Sequence, residues 1–148
     1  MQKLNLPHAA LTLTNRAGKT YVYDQFRKKD ILLTPEEWVR QHFLHFLISA
    51  LHYPKTLCNV ERGLRYNKLM KRTDITVYDR QGDIFLIVEC KAPEIKLTQK
   101  VFEQVATYSY ALKAQHIVVT NGLQHFCCKL DHEHRKYSFL ENIPSFEV

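Results

Sequence analysis

The chain has 148 residues, 45% of them hydrophobic and 24% charged, the size and makeup of one globular domain, which excludes a wholly disordered or collagen-like polymer. Twenty-one Lys and Arg against fifteen Asp and Glu leave a formal charge of +6, a field that favours polyanionic partners. No apolar run reaches the ~18 residues of a membrane helix, the opening MQKLNLPHAALTLTN has no leader pattern, and neither GxxxxGK[ST] nor GxGxxG occurs, so we expect a soluble, cytoplasmic protein without membrane attachment or ATP chemistry.

The first pattern along the chain, Leu11 to Tyr23, reads as two short β segments around Asn15–Lys19, a hairpin. The basic run Arg27-Lys28-Lys29 follows. Thr34-Pro35-Glu36-Glu37 then opens a helix: Thr34 can cap it, Pro35 suits the first helical position, and Glu37 lies three residues after the cap. The helix is expected to run to about Leu51 with Phe43, Phe46, Leu47 and Ala50 on its buried side, until Tyr53-Pro54 stops it. Thr56 to Tyr66 is broken and partly extended. Thr73–Tyr78 and Ile84–Val88, joined by Asp79–Asp83, predict a hairpin, and Ala92-Pro93 closes its second strand. A second helix is expected over Leu97–Lys113, with Val101, Val105, Tyr108 and Leu112 at helical spacing. Ile117–Thr120 is a short buried strand, Asn121-Gly122 a turn, and Gln124–Leu130 with Lys136–Leu140 a last hairpin. With no internal repeat, this is one mixed α/β domain over residues 1–148.

Asp74, Glu89 and Lys91 carry the chemistry. Alternation along a strand points Glu89 and Lys91 to one face and Cys90 to the other. They follow five consecutive apolar residues, the mark of a strand covered on both faces, where a charge loses solvation unless something compensates it. Asp74 begins the preceding strand, so the antiparallel hairpin brings it beside Glu89. Two close carboxylates repel, and a divalent cation relieves that repulsion. Hard oxygen ligands with room for water suit Mg²⁺ acting on a phosphate substrate, while a neighbouring lysine orients the attacking water. The same residues also fit a plain Glu89–Lys91 ion pair at a charged strand end, with Asp74 solvated nearby.

Arg72-Thr-Asp74, a short hairpin and then Val88-Glu-Cys-Lys-Ala-Pro93 together resemble the PD-(D/E)XK nuclease superfamily. More narrowly, the pattern resembles the N-terminal nuclease domain of type I restriction enzyme R subunits. Gln104-Val-Ala-Thr-Tyr108 fits the QxxxY motif of that branch, and Thr34-Pro-Glu-Glu-Trp-Val-Arg40 and Thr120-Asn-Gly122 extend the likeness over roughly residues 27–130. The resemblance implies a restriction-endonuclease-like fold, a mixed central sheet flanked by helices in the order α-β-β-β-α-β. It implies Mg²⁺, with Mn²⁺ as a substitute, held by Asp74, Glu89 and the backbone carbonyl of Cys90. Lys91 would position the water, and Gln104 and Tyr108 would support the site and touch DNA. Many relatives add a glutamate from the first helix, here Glu37 or Glu36, although helix capping explains Glu37 equally well. The proline of the motif is replaced by Thr73.

Two readings of function follow. One is a metal-dependent DNA nuclease like the R-subunit domain but without its helicase motor, working with separate restriction-modification subunits or a separate helicase. The alternative is a catalytically silent module of the same fold that binds nucleic acid or assembles with partners. RNA fits the same chemistry as DNA. Gln104 and Tyr108, at i and i+4, could equally be helix neighbours at the core edge. The basic residues Arg62, Arg65, Lys68, Lys71 and Arg72 could follow a phosphate backbone or simply be solvated. His125, Cys127, Cys128, His132 and His134 match no standard zinc spacing, and the cysteines, with Cys58 and Cys90, read as reduced thiols.

Overall fold

A strand with five apolar residues in succession has to be covered on both sides, and Ile84-Phe-Leu-Ile-Val88 is the strand on which this fold is built. In a computed structural model, residues 1–146 are described apart from 62, 67 and 68, with the backbone alone over 63–66 and 69–72. Strands β1 (Leu13–Arg16), β2 (Lys19–Asp24) and β3 (Lys29–Leu32) form a small antiparallel sheet in that order. Ala17 and Gly18 link the first two with φ of 50° and 77°, the paired positive φ that matches the twist of a two-residue hairpin. β3 is not legible as a strand in the sequence. Its pairing depends on Lys28, whose φ of 54° turns the chain back after Asp24.

Helix α1 (Pro35–His45) starts as expected, with Thr34 Oγ1 accepting the Glu37 N–H at 3.1 Å. It continues into a π-helical turn over Phe46–Ala50, where the Leu51 N–H reaches Phe46 O. Phe43 and Leu47 are buried as predicted, but Ala50 is exposed and Phe46 only half-buried, because the wider turn breaks the 3.6-residue period. A 3₁₀ turn (Lys55–Leu57) leads into β4 (Cys58–Val60), and β5 (Gly63–Tyr66) pairs with β6 (Leu69–Arg72) as a separate ribbon. The expected hairpin is β7 (Ile75–Tyr78) and β8 (Ile84–Cys90). Helix α2 (Gln99–Ala111) precedes β9 (His116–Thr120), β10 (His125–Asp131) and β11 (Lys136–Leu140).

The main sheet has the order β11-β10-β9-β8-β7-β4. β8 and β9 are parallel, joined through α2, and the other pairs are antiparallel. Alternation divides the core. Val39 and Phe43 of α1 and Leu47 of the π-helical turn pack with Ile75, Val77, Leu86 and Val88 on one face. Phe102, Val105 and Ala106 of α2 pack with Ile87, Ile117 and Val119 on the other. Cys127 and Cys128, adjacent on β10, fall into opposite clusters, and all four cysteines are buried free thiols. This mixed sheet between two helices is restriction-endonuclease-like. No helix among the described residues is long and apolar enough to cross a membrane.

The N-terminal segment straps α1 to the sheet. Asn5 donates its N–H to Gly122 O at 2.8 Å, Trp38 Nε1 donates to Gln2 O at 2.7 Å, and Leu4 is buried. Gly122 has φ of 85°, and a Cβ there would meet Leu4 Cδ2 at 2.8 Å and Val39 Cγ2 at 3.1 Å. Gly122→Ala therefore adds a backbone penalty to a clash and should destabilise the protein by about 1–3 kcal/mol, read as a lowered urea midpoint. A Leu4→Ala background should recover part of that loss.

Candidate functional site

The site lies at the end of the β7–β8 ladder, where α1 and α2 approach from opposite faces. The register pairs Ile75 with Val88, which sets Asp74 opposite Glu89. Asp74 does not continue the strand as the sequence suggested. It bends away just before β7, and its Oδ2 accepts the Cys90 backbone N–H at 2.7 Å. A side-chain oxygen thus closes the ladder, and the Asp74 carboxylate is fixed in the plane between β7 and β8. Thr73, at the position of the motif proline, is fully buried and its hydroxyl bonds that of Thr76.

Glu89 and Lys91 lie on one face as alternation requires, with Lys91 Nζ 3.7 Å from Glu89 Oε1. The ion pair of the alternative reading is therefore present, but its solvated aspartate is not: Asp74 is 8% exposed. Glu89 Oε2 also accepts the Tyr108 hydroxyl at 2.9 Å. Burial, the Glu89 charge and this hydrogen bond together raise the Tyr108 phenol well above its ordinary range, so Tyr108 remains a donor that steadies the carboxylate. Gln104, one turn earlier on α2, is exposed. The Cys90 side chain points into the α1-side core, leaving only its backbone to take part in the site.

The sequence did not reveal what α1 contributes. Arg40 is 4% exposed and donates to Asp74 Oδ1 at 2.7 Å and Glu37 Oε1 at 2.9 Å. It also pairs with Glu36 at 3.2 Å and Glu61 at 3.1 Å. Burial opposes its charge, but Asp74 and Glu37, with Cys90 and Glu61, hold the guanidinium pKa above its ordinary value. Glu37 also accepts from Arg27 at 2.7 Å and Gln41 at 3.0 Å. Its carboxylate serves the arginines and not a reciprocal capping bond. Glu36 faces outward, its side chain 47% exposed. Burial and the Asp74 charge push its carboxyl up, against the pull of Arg40 and Lys91, so Glu36 shares one field with Asp74 and Lys91. Spacing marks Glu36 and Glu37 as i−4 and i−3 neighbours of Arg40, but Asp24 at the end of β2, Arg27 in the following turn and Glu61 after β4 are brought together only by the fold.

The donor set fits a hard divalent ion that keeps most of its waters. Asp74, just before β7, and Glu89 on β8 would supply its oxygen ligands, since a carboxylate oxygen that accepts one hydrogen bond keeps a further lone pair. Among the described residues no three His, Cys, Asp or Glu side chains are grouped to hold a metal. The side chains of Arg62, Arg65, Lys68, Lys71 and Arg72 lie outside the described residues. His125, His132 and His134 are engaged separately, with Thr120, Ala114 O and Asp131.

A family model described as type I restriction enzyme R protein N terminus matches residues 35–144, a span that contains α1, the β7–β8 hairpin, α2 and β9. No curated protein matches the chain at a significant level.

The network extends to Asp24, which is wholly buried and accepts the N–H groups of Phe26 (2.7 Å) and Arg27 (2.8 Å) and the Arg27 Nε (2.8 Å). Burial alone would raise its pKa, but the Arg27 N–H and guanidinium, with the Phe26 N–H, hold it below the ordinary 3.8. A depressed native carboxyl contributes stability above its unfolded pKa and loses it as pH falls through the native value. Asp24→Asn should lower stability at neutral pH by about 3–5 kcal/mol and flatten the further loss below about pH 4. Urea titrations across that range measure both.

Proposed function

The chain belongs to the family of type I restriction enzyme R protein N termini, and from that premise we propose that it is a divalent-metal-dependent nuclease acting on DNA. The observation that carries this reading is the Cys90 N–H bond to Asp74 Oδ2, which fixes one carboxylate beside Glu89 and Lys91 at the end of the β7–β8 ladder. Asp74, Glu89 and the Cys90 carbonyl would hold Mg²⁺, or Mn²⁺ in its place. When bound, such an ion lowers the pKa of a coordinated water and offsets phosphate charge.

The remaining chemistry belongs to the chain's own groups. Lys91, one-third exposed on the Glu89 face, donates to the attacking water or to the phosphate oxygen on which charge develops. Tyr108 keeps Glu89 in place by its hydroxyl bond. Arg40 fixes Asp74 from the α1 side. Glu37 is fully engaged with Arg27, Arg40 and Gln41, so the helix carboxylate that would serve the site is Glu36, which shares the field of Asp74 and Lys91. Gln104, exposed one turn from Tyr108, contacts the DNA. The partners consistent with this reading are DNA, restriction-modification subunits and a separate helicase.

One observation favours the silent module as a second reading: Asp74 is already neutralised by Arg40, and Glu89 by Lys91. The experiment that separates the two is plasmid nicking and linear-DNA degradation with Mg²⁺ or Mn²⁺ against an EDTA control. Lys91→Ala keeps both carboxylates and should retain calorimetric metal binding while cleavage falls about 100-fold or more. Glu89→Ala and Asp74→Asn should weaken both. A wild type that cleaves neither DNA nor RNA, with partners added, establishes the silent module.

A further inference from the structure

Glu89 does not stand alone on the α2 face of the sheet. The register runs from Glu89 to Val119 on β9 and from Val119 to Phe126 on β10. Aligned neighbours in a sheet share a face, and strands lie ~4.8 Å apart, so Phe126 is about 10 Å from Glu89 along one row. Beside Phe126 is an apolar hollow of about 140 Å³ lined by Leu97, Phe102, Val119, Phe126 and Phe139 and by the first turn of α2. Its rings are exposed: Phe139 is 58% accessible and Phe126 37%. Phe139 meets the Phe102 ring at 5.2 Å and the Tyr137 ring edge-on at 5.8 Å, so it is held upright with the rest of its surface toward solvent.

The electrostatics of the rim select the occupant. The first turn of α2 carries no acidic residue, and Lys96 and Lys100, the sequence neighbours of the lining residues Leu97 and Gln99, are exposed. The nearest carboxylate on the helix, Glu103, is engaged by Gln99 Nε2 at 3.2 Å. An apolar floor with ring faces, a cationic rim and a helix N-terminus suits a group with a flat aromatic part and a phosphate. A second copy of the chain would bring the same lysines against each other. We propose that this hollow receives an unpaired nucleobase next to the phosphate held at Glu89, so that the substrate is a strand with unpaired nucleotides, such as an end, a flap or a gap. In an uninterrupted duplex the base faces are stacked on one another and cannot reach the rings. The link to cleavage rests on the nuclease reading; the binding itself does not.

The test measures binding in EDTA, where no cleavage occurs. Fluorescence anisotropy compares a single-stranded oligonucleotide, carrying one 2-aminopurine, with its duplex. The wild type should bind the single strand more tightly and change the 2-aminopurine emission as the base stacks. Phe126→Ala with Phe139→Ala should weaken single-strand binding about 10- to 100-fold and abolish the emission change, with duplex binding unaltered. Phe139→Trp should keep both, whereas Phe139→Leu, apolar but without a ring face, should lose them. Equal losses for single strand and duplex, or none, overturn the proposal, as does a homodimer in sedimentation that Phe139→Ala dissociates. If Glu89→Ala abolishes DNA cleavage but the phenylalanine variants bind normally, the nuclease reading stands and this one falls. If no cleavage is seen but single-strand binding follows the rings, the base site stands without the nuclease.

Discussion

The buried contact between Arg40 and Asp74 is the constraint on which the site depends. A guanidinium removed from water costs several kcal/mol unless its donors are met, and Arg40 meets those of its two terminal nitrogens with Asp74, Glu36, Glu37 and Glu61, while its buried Nε has no partner. Those acceptors come from α1, from the residue after β4 and from the residue before β7. Three segments that are distant in sequence therefore cannot move apart without stranding a charge. The value of such a pair lies less in net stability, where a hydrophobic replacement can do as well, than in fixing position. Asp74 is held by Arg40 on one oxygen and the Cys90 N–H on the other, which leaves its carboxylate no freedom to rotate out of the sheet end.

Placing the site there resolves a conflict in the fold. The middle of β8 is covered on both faces by apolar side chains and could not carry a carboxylate without large desolvation. At Glu89 the cover of α2 ends in Tyr108, whose hydroxyl supplies a hydrogen bond where an aliphatic residue would supply none. The next residue, Cys90, returns to the core and anchors the strand, and Lys91 emerges one-third exposed. The sequence Glu-Cys-Lys is thus the transition from core to solvent written at a period of two.

Most of the scaffold was legible from periodicity and turn chemistry. The Thr34-Pro35 helix start, the hairpin around Asp79–Asp83 and the Asn121-Gly122 turn are local signals, each set by residues a few positions apart. The strand β3 was not, because Lys29-Asp-Ile-Leu32 has no alternating pattern and is stabilised by pairing with β2. The π-helical turn at Phe46–Ala50 was also invisible, since sequence period presumes an unbroken α-helix. In the site, alternation placed Glu89, Cys90 and Lys91 correctly. It misread Asp74, whose side chain rather than backbone completes the ladder. It also missed Arg40 and Arg27, because a buried arginine is defined by acceptors gathered from elsewhere in the chain.

Charge distribution joins these points. Among the described residues, Asp24, Glu36, Glu37, Glu61 and Asp74 are linked through Arg27 and Arg40, and Glu89 pairs with Lys91 beside them. These carboxylates are set in a chain whose formal charge is +6. A polyanion is drawn to the molecule as a whole and repelled at the carboxylates, while a small cation experiences the reverse. On the proposed reading both would settle at Glu89 together, the cation offsetting the phosphate. Arg40 limits how negative the site becomes, and with Asp74 compensated the pull on a free ion is moderate. Arg40 holds Asp74 from the α1 side, so on the proposed reading ion and phosphate would meet at the carboxylates from the side on which Lys91, one-third exposed, also lies.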